Sequence, residues 1–438
     1  MIKINDIIEG TIQTIAFGGE GILRHLGLVV FIPFTAPGDQ ITCRVIEIKK
    51  NFAKGEIVKV IQPASGRATP LCPYFGTCGG CQLQHLTSPL QLNYKLNAVK
   101  DALKRIGHLT LPDIKMVPAN LIWSYRRHIT LHLKPEEGSF KAGYIGTDHQ
   151  SLIIVQTCPI FNLSDDPIIQ QLQEFISQLS NTSQLTGRVT VLKNEKEQFI
   201  LSFQFDSLSG LKLLDFQKGL QKYPAFAGIF IHTPEEDFAY GNLYCEQKQD
   251  DIVFRFTPQA FVQNHPEQSA NIYKEICELA LKHPVKHILD LYCGFGMTSL
   301  LLARLGHHVT GIEFNRASVQ FAQENTHLNH LKQVNFIQGD VEKELPNILK
   351  KTNFDLVLMN PPRTGLSKKI IEMLLRANVK ELIYVSCMPA TLARDLALFC
   401  EKNYEFRQCT VYDMFPQTAH VETLVHLKIR ENNRSIHC

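Results

Sequence analysis

The chain has 438 residues, 44% hydrophobic and 20% charged, with a formal net charge of +3. That length predicts two or three globular domains, and a charge so near zero excludes capture of nucleic acid by bulk basicity alone. The start, Met1-Ile-Lys-Ile-Asn-Asp, has no apolar signal region and no stretch reaches the ~20 apolar residues of a membrane span, so the expectation is a cytoplasmic protein without a membrane.

Residues 1–62 alternate like short strands: Gly10–Ala16, Gly27–Pro33, Gln40–Ile48 and Ala53–Val60. Gly18-Gly19 and Pro37-Gly38-Asp39 punctuate them. An OB-like β-barrel is expected, a fold that binds single-stranded nucleic acid or serves as a structural adaptor. Residues 61–70, rich in Pro, Gly and Ser, read as a linker.

Twelve cysteines in a reducing compartment point to ligands or catalysts rather than disulfides. Cys72, Cys78 and Cys81 are separated by five and two residues, and Cys158 follows in Thr-Cys-Pro-Ile. Zinc sites commonly use paired short spacings, whereas three close thiols plus a distant one suit a 4Fe-4S cluster. Iron–sulfur, then zinc, then free thiols is the order of preference. The other cysteines (Cys43, Cys245, Cys277, Cys293, Cys400, Cys409, Cys438) read as structural.

Ser88-Pro-Leu-Gln reads as a capping box opening a helix to about Ile106, which Gly107 should stop. Eight Lys/Arg against two acids between Lys95 and Lys134 (Lys95, Lys100, Lys104, Arg105, Lys115, Arg126, Arg127, Lys134) offer phosphate contacts, or simply a solvated face. Mixed signals, among them His128–Leu133, Phe199–Phe205 and a helix near Pro167–Leu179, make residues 63–257 a central α+β domain.

From residue 258 to 438 strands and helices alternate. Strands are expected at His287–Leu291, Val309–Glu313, Val334–Gln338, Leu356–Met359 and Leu382–Val385. That rhythm predicts a doubly wound, mostly parallel, Rossmann-like sheet. After the first strand comes Asp290-Leu-Tyr-Cys-Gly-Phe-Gly, whose Gly294 and Gly296 let a ligand approach the backbone. A third glycine is missing, which disfavours a nicotinamide cofactor. Glu313 ends the second strand, placed to bind ribose hydroxyls, and Asp340 ends the third, as an adenine contact or a helix N-cap. The set resembles the class I S-adenosylmethionine-dependent methyltransferases.

The reaction falls on two further segments. Tyr384-Val-Ser-Cys-Met-Pro puts Cys387 at a strand end near a helix start, which favours the thiolate. Glu422 enters an apolar strand, where burial raises a carboxyl pKa and suits it to proton transfer. A thiolate and a carboxylate beside S-adenosylmethionine suit methylation of uracil C5, an unreactive carbon until a nucleophile adds at C6.

At these residues the chain resembles the RNA uracil-C5 methyltransferases of the bacterial type that modifies 23S ribosomal RNA, over nearly its whole length. The resemblance implies a TRAM barrel at 1–62 and a 4Fe-4S cluster on Cys72, Cys78, Cys81 and Cys158. It implies Cys387 as nucleophile and Glu422 as general base. It implies Gln263, Tyr292, Gly294, Glu313, Asp340 and Asn360 as cofactor positions. It also implies that residues 88–122 pack on the methyltransferase domain. Asn360 stands where the family has Asp, and Met388 where it has Asn.

The target uracil has to leave its stack, with the barrel, the basic stretch and Arg363 as candidate RNA contacts. Phe261 reads as a core aromatic rather than a base-stacking one. No obligate protein partner is evident. A transfer-RNA uracil enzyme shares the catalytic motifs but typically lacks the barrel and cluster. An amino-group methyltransferase needs an aromatic at position 363, and an RNA cytosine-C5 enzyme needs a cysteine there; this chain has Arg363. An RNA-binding assembly factor with a degenerate site is the non-enzymatic alternative.

Overall fold

A computed structural model describes residues 2–161, 167–282 and 284–430. Cys438 lies outside the described residues.

The N-terminal strands Ile7–Thr11, Thr14–Ile15, Gly21–His25, Leu28–Ile32, Gln40–Ile48 and Phe52–Gln62 form one six-stranded sheet. Alternate side chains turn inward, burying Leu23, Val30, Ile32, Ile41, Cys43 and Val45 as a separate small core. The expected strand starting at Gly10 begins earlier, at Ile7, and the strand Gly21–His25 was not foreseen. Gly10 lies inside a strand because Leu23 crosses it: a Cβ there would meet Leu23 Cδ1 at 2.8 Å.

The central sheet runs Leu152–Ile153, Ser139–Ile145, His128–Glu136, Gly187–Lys193, Phe199–Phe205, Phe226–His232, Asp237–Gly241. Helices Ile168–Ser177 and Leu213–Lys222 supply Phe175 and Phe216, which pack on Phe203. A hairpin, Cys245–Gln249 with Ile252–Phe256, leads onward; its Phe254 and Phe256 pack against Phe295 of the C-terminal body.

The C-terminal sheet has eight strands in the order Val334–Gln338, His308–Glu313, His287–Leu291, Leu356–Met359, Glu381–Ser386, Glu422–Ile429, Tyr404–Tyr412, Ile114–Val117. Neighbours are parallel except that Glu422–Ile429 runs against both of its own. The five expected strands are present, within a residue at each end.

The boundary expected at residue 257 is not clean. Ile114–Val117 pairs in parallel with Tyr404–Tyr412 and closes that edge of the sheet. The preceding helix Ser88–Arg105 lies on helix Pro389–Lys402, and its Val99 and Leu103 join the methyltransferase core. The segment 88–117 therefore packs with the C-terminal body, where Val99, Leu103 and Ile114 bury their side chains.

The start of that helix also differs from the expected capping box. Thr87 is the N-cap and no side chain caps the helix. Gln91, the box's glutamine, reaches away instead: its amide donates to the Gln417 side-chain oxygen (3.0 Å) and accepts from the Gln417 backbone N–H (3.0 Å). Gly107 ends the helix by close approach rather than as a left-handed cap, since a Cβ would meet the Ala393 carbonyl at 2.9 Å.

One turn on from Gln91, Lys95 is completely buried and donates to Asp413 Oδ1 (2.5 Å) and the Phe415 carbonyl (2.8 Å). Removing one member of a buried pair strands the other charge. Asp413→Ala should therefore cost about 3–5 kcal/mol in urea unfolding, with much of it recovered in the Lys95→Met, Asp413→Leu double variant. A single variant as stable as the parent would contradict this.

Candidate active site

The strand His287–Leu291 ends in a tight turn. Tyr292 and Gly294 take φ of +63° and +57°, and Gly296 (+84°) caps the helix Met297–Arg304. No atom lies within 4 Å of where a Cβ on Gly294 would stand, so the turn is open to a ligand. Glu313, at the end of the next strand, accepts from the Gly294 N–H (3.1 Å) and the Asn315 N–H (2.7 Å). Asp290 is buried, accepts from the Ser299 hydroxyl (2.5 Å), and burial raises its pKa to about 7.

Gln263, Tyr292, Gly294 and Asn360 line one cavity with Asp290 and Phe261. Asp340 lines an adjoining cavity, which shares Tyr292 and also holds Phe314. Asp340 caps the helix Val341–Lys351 through Oδ1, accepting from Glu342 and Lys343 N–H groups at 2.8 and 3.3 Å. The N-cap reading thus holds for this residue, which also lines the cavity.

Phe261 is not a core residue: it is 68% exposed at the rim, and Phe314 is 74% exposed. Phe314 was missed; the available signal was an aromatic directly after the acid that ends the second strand.

Cys387 follows the strand Glu381–Ser386 and precedes the helix Pro389–Lys402, whose N-cap is Met388. Glu422 opens the neighbouring antiparallel strand, one residue beyond the Ser386–Thr423 pair. The two residues therefore meet at one edge of the sheet. Glu422's strand has a partner on each side and the residue is buried, so it is not an edge-strand acid in a surface ion pair.

The expectation that a helix start favours the thiolate is overturned. Burial and the nearby Glu422 push the Cys387 thiol up, against a downward pull from Arg363. Burial raises Glu422 to about 8, again opposed by Arg363. Arg363, expected as an RNA contact, thus stands close to both groups. Its loop is pinned by buried Asp395, which accepts from the Leu366 N–H (2.8 Å) and the Tyr384 hydroxyl (2.7 Å).

Cys72, Cys78, Cys81 and Cys158 surround a cavity of about 270 Å³, which Arg126 and Tyr144 also line. Burial pushes Cys81 up to about 12 and Cys158 to about 11. Among the described residues no three His, Cys, Asp or Glu side chains converge closely enough to hold a metal ion, so the four thiols enclose a space instead of meeting at a point. The described cysteines are all free.

The basic stretch is not one patch. Lys95 is buried in its ion pair, Arg126 faces the cysteine cavity, and Arg127 donates to Gln247 (2.5 Å) and lies over Phe256. Among the described residues no helix is long and apolar enough to cross a membrane.

A doubly wound sheet with an open glycine turn and an acid at the end of its second strand defines an S-adenosylmethionine-dependent methyltransferase of Rossmann-like fold. Residues 234–430 match the family model for tRNA (uracil-5-)-methyltransferase, and residues 5–58 match that of the TRAM domain. The chain is 60% identical over 429 residues to an "uncharacterized RNA methyltransferase" of Protochlamydia amoebophila, covering 98% of this chain and 99% of the relative. It is 30% identical over 451 residues to a protein of the same description from Halalkalibacterium halodurans, covering 98% of each. A crystal structure of Pyrococcus abyssi tRNA (uracil-54, C5)-methyltransferase with S-adenosyl-L-homocysteine superposes with a TM-score of 0.74 at 24% identity, covering 96% of this chain and 100% of that one. The chain belongs to the RNA uracil-C5 methyltransferase family and carries its TRAM domain. The likeness to the Pyrococcus structure shows the fold over nearly the whole chain.

The raised Glu422 value has a consequence for stability. The folded chain keeps a proton that the unfolded chain releases near pH 4.5, so this contribution is full below about 4.5 and is lost as pH rises through about 8. Glu422→Gln does not titrate. Urea unfolding should therefore shift in favour of the variant, relative to the parent, between about pH 4.5 and 8. Parallel stability curves would show that Glu422 is not held neutral.

Proposed function

We propose that this enzyme methylates C5 of a uridine in 23S ribosomal RNA, with Cys387 as nucleophile and Glu422 as base. The observation that carries the reading is the meeting of Cys387, Glu422 and Arg363 at one sheet edge, where Val385, two residues before Cys387, lines the cavity of Gln263, Tyr292 and Gly294. Bound through Gln263, Tyr292, Gly294, Glu313, Asp340 and Asn360, S-adenosylmethionine supplies an electrophilic methyl group.

Arg363 favours the ionised thiol by facing it with positive charge. Cys387 Sγ then bonds to uracil C6, and the C5=C6 electron pair moves toward the C4 oxygen. C5 takes the methyl group. Adduct formation removes the negative charge beside Glu422; the protons of the resting thiol and carboxyl leave to solvent, and Arg363 then holds the carboxylate ionised. Glu422 accepts the C5 proton, the C5=C6 bond re-forms, and the Sγ–C6 bond breaks. Burial holds both resting groups toward neutrality, the nearby Glu422 adds to the effect on Cys387, and Arg363 opposes both shifts.

The four cysteines are proposed to hold a 4Fe-4S cluster. What supports the reading is that the four thiols line one cavity and that three close cysteines plus a distant one suit a cluster better than the paired short spacings common in zinc sites. Methyl transfer has no net redox change, so the cluster's role is structural. It would brace the loop whose Leu83 N–H donates to the Gln417 carbonyl (2.9 Å), five residues before Glu422. A transfer-RNA uridine is the second reading, favoured by the family model and by the Pyrococcus fold.

Mapping 5-methyluridine in ribosomal and transfer RNA, with and without the gene, decides the substrate. Loss at one 23S position is expected, and loss only from transfer RNA overturns the ribosomal assignment. Cys387→Ala should abolish methylation while keeping S-adenosylmethionine binding; near-normal turnover sinks the covalent mechanism. Glu422→Gln should accumulate a protein–RNA adduct on denaturing gels, and rapid release would remove Glu422 as the base. Protein purified without oxygen should be brown with about four irons per chain, the content of the proposed cluster; a colourless zinc protein refutes it.

A further inference from the structure

The reaction as derived gives Asp290 no task. This residue lies in the strand His287–Leu291, 1% exposed, and lines the cavity shared by Gln263, Tyr292, Gly294 and Asn360. The Ser299 hydroxyl, on the helix Met297–Arg304, donates to its Oδ2 at 2.5 Å. No cation is among the groups that act on it. A carboxylate so far from water is costly unless a positive charge faces it.

The elements packed around Asp290 supply no such charge. The strand His308–Glu313 brings Glu313, a second acid. The strand Leu356–Met359 sets Leu358 opposite it. In the turn, burial pushes the Cys293 thiol well up, with Asp290 and Glu313 adding to the rise. The helix Pro266–Lys282 brings Tyr273 to the same cavity. Burial raises the Tyr273 hydroxyl to about 12; Arg127 opposes this, and Glu422 and Asp290 add to it. Arg127 therefore acts on Tyr273 and not on Asp290. The balance for Asp290 is a pKa of about 7, raised by burial and Glu313 against the Ser299 hydroxyl.

The charge missing from this cavity is one that the cofactor carries. S-adenosylmethionine has a sulfonium with a fixed positive charge. When the S–CH3 bond breaks, its electron pair stays on sulfur, and the product S-adenosylhomocysteine is an uncharged thioether there. The two ligands thus differ by one positive charge, whatever their orientation in the cavity. A positive charge in a site shielded from water favours the ionised carboxyl; a thioether does not.

We propose that Asp290 is the residue by which this enzyme distinguishes S-adenosylmethionine from S-adenosylhomocysteine, losing its proton to solvent when the sulfonium binds and regaining one when the thioether is left. This rests on the placement of the cofactor in that cavity. Below about pH 7 the ligand-free carboxyl holds its proton, so the sulfonium has to expel it. Affinity for S-adenosylmethionine then falls as pH falls, by at most about tenfold per pH unit for one proton. Above about 7 the carboxyl is already ionised and the dependence flattens. Affinity for the thioether changes far less, so preference for cofactor over product is lost on acidification.

The test is calorimetric titration of the full chain with each ligand, in two buffers of different ionisation enthalpy. It is run between about pH 5.5 and 7, where the α-amino group of either ligand stays protonated. The parent should release more protons to S-adenosylmethionine than to S-adenosylhomocysteine, and the ratio of the two affinities should rise several-fold per pH unit. Asp290→Asn should abolish that difference and flatten the ratio. Glu422→Gln removes the other raised carboxyl and should leave the difference in place. Ser299→Ala removes the donor that favours the carboxylate and should move proton release to higher pH; it decides the matter if the Asn variant does not fold. Equal release with both ligands in the parent, release that persists in Asp290→Asn, or an unmoved profile in Ser299→Ala overturns the role of Asp290 alone. Gly294→Val fills the open turn and should abolish binding of both ligands. Undiminished binding there overturns the placement of the cofactor, and this role with it.

Discussion

The buried ion pair between Lys95 and Asp413 is the interaction on which the arrangement of this molecule depends. It joins a helix early in the chain to a loop near its end, in a place with no water to screen or replace it. The neighbouring Gln91–Gln417 exchange extends the same join. The loop held in this way also receives the cysteine segment through Leu83, the central domain through Tyr125, and runs directly into Glu422. The helix in turn reaches the barrel, where the Tyr94 hydroxyl accepts from the Gly18 N–H at 3.0 Å. Three sheets and two candidate sites are therefore referenced to one short stretch of chain.

The chemistry at the sheet edge follows from a different constraint. Cys387 and Glu422 are both drawn out of water, which makes each harder to ionise, and the nearby Glu422 adds to the effect on Cys387. Arg363 is the group that relieves this. The loop after Asn360-Pro-Pro-Arg is fixed by Asp395, the seventh residue of the helix Pro389–Lys402, so the fold couples the position of Arg363 to that of Cys387. Asn360, the departure from the family pattern, lies in the cofactor cavity, whereas Met388 is only the N-cap of the following helix.

Much of the C-terminal half was legible because its signals are local. Five short apolar runs with helical spacing between them place the strands, and an acid at a strand end is near the ligand edge in any doubly wound sheet. The barrel was legible in outline, but its strand Gly21–His25 was hidden because Gly21 and a charged Arg24-His25 end disguise it. Phe261 was misread because one aromatic beside Gln263 looks the same whether it faces a core or a rim.

What the sequence determined by itself was the order of domains, the parallel sheet, the glycine turn, and the candidates Cys387, Glu422 and the four cysteines. Those features are written in short windows of residue type and spacing. The tertiary structure decided everything that depends on distant segments meeting. It took Lys95 into a buried ion pair, turned Arg126 to the cysteine cavity and set Arg127 against Gln247, out of a supposed phosphate patch. It gave residues 88–117 their place against the methyltransferase body, which spacing alone did not show, and set Arg363 beside Cys387 and Glu422. It also raised the Cys387 thiol that the helix start alone would have lowered, because burial and a facing carboxylate outweigh one end of a helix dipole.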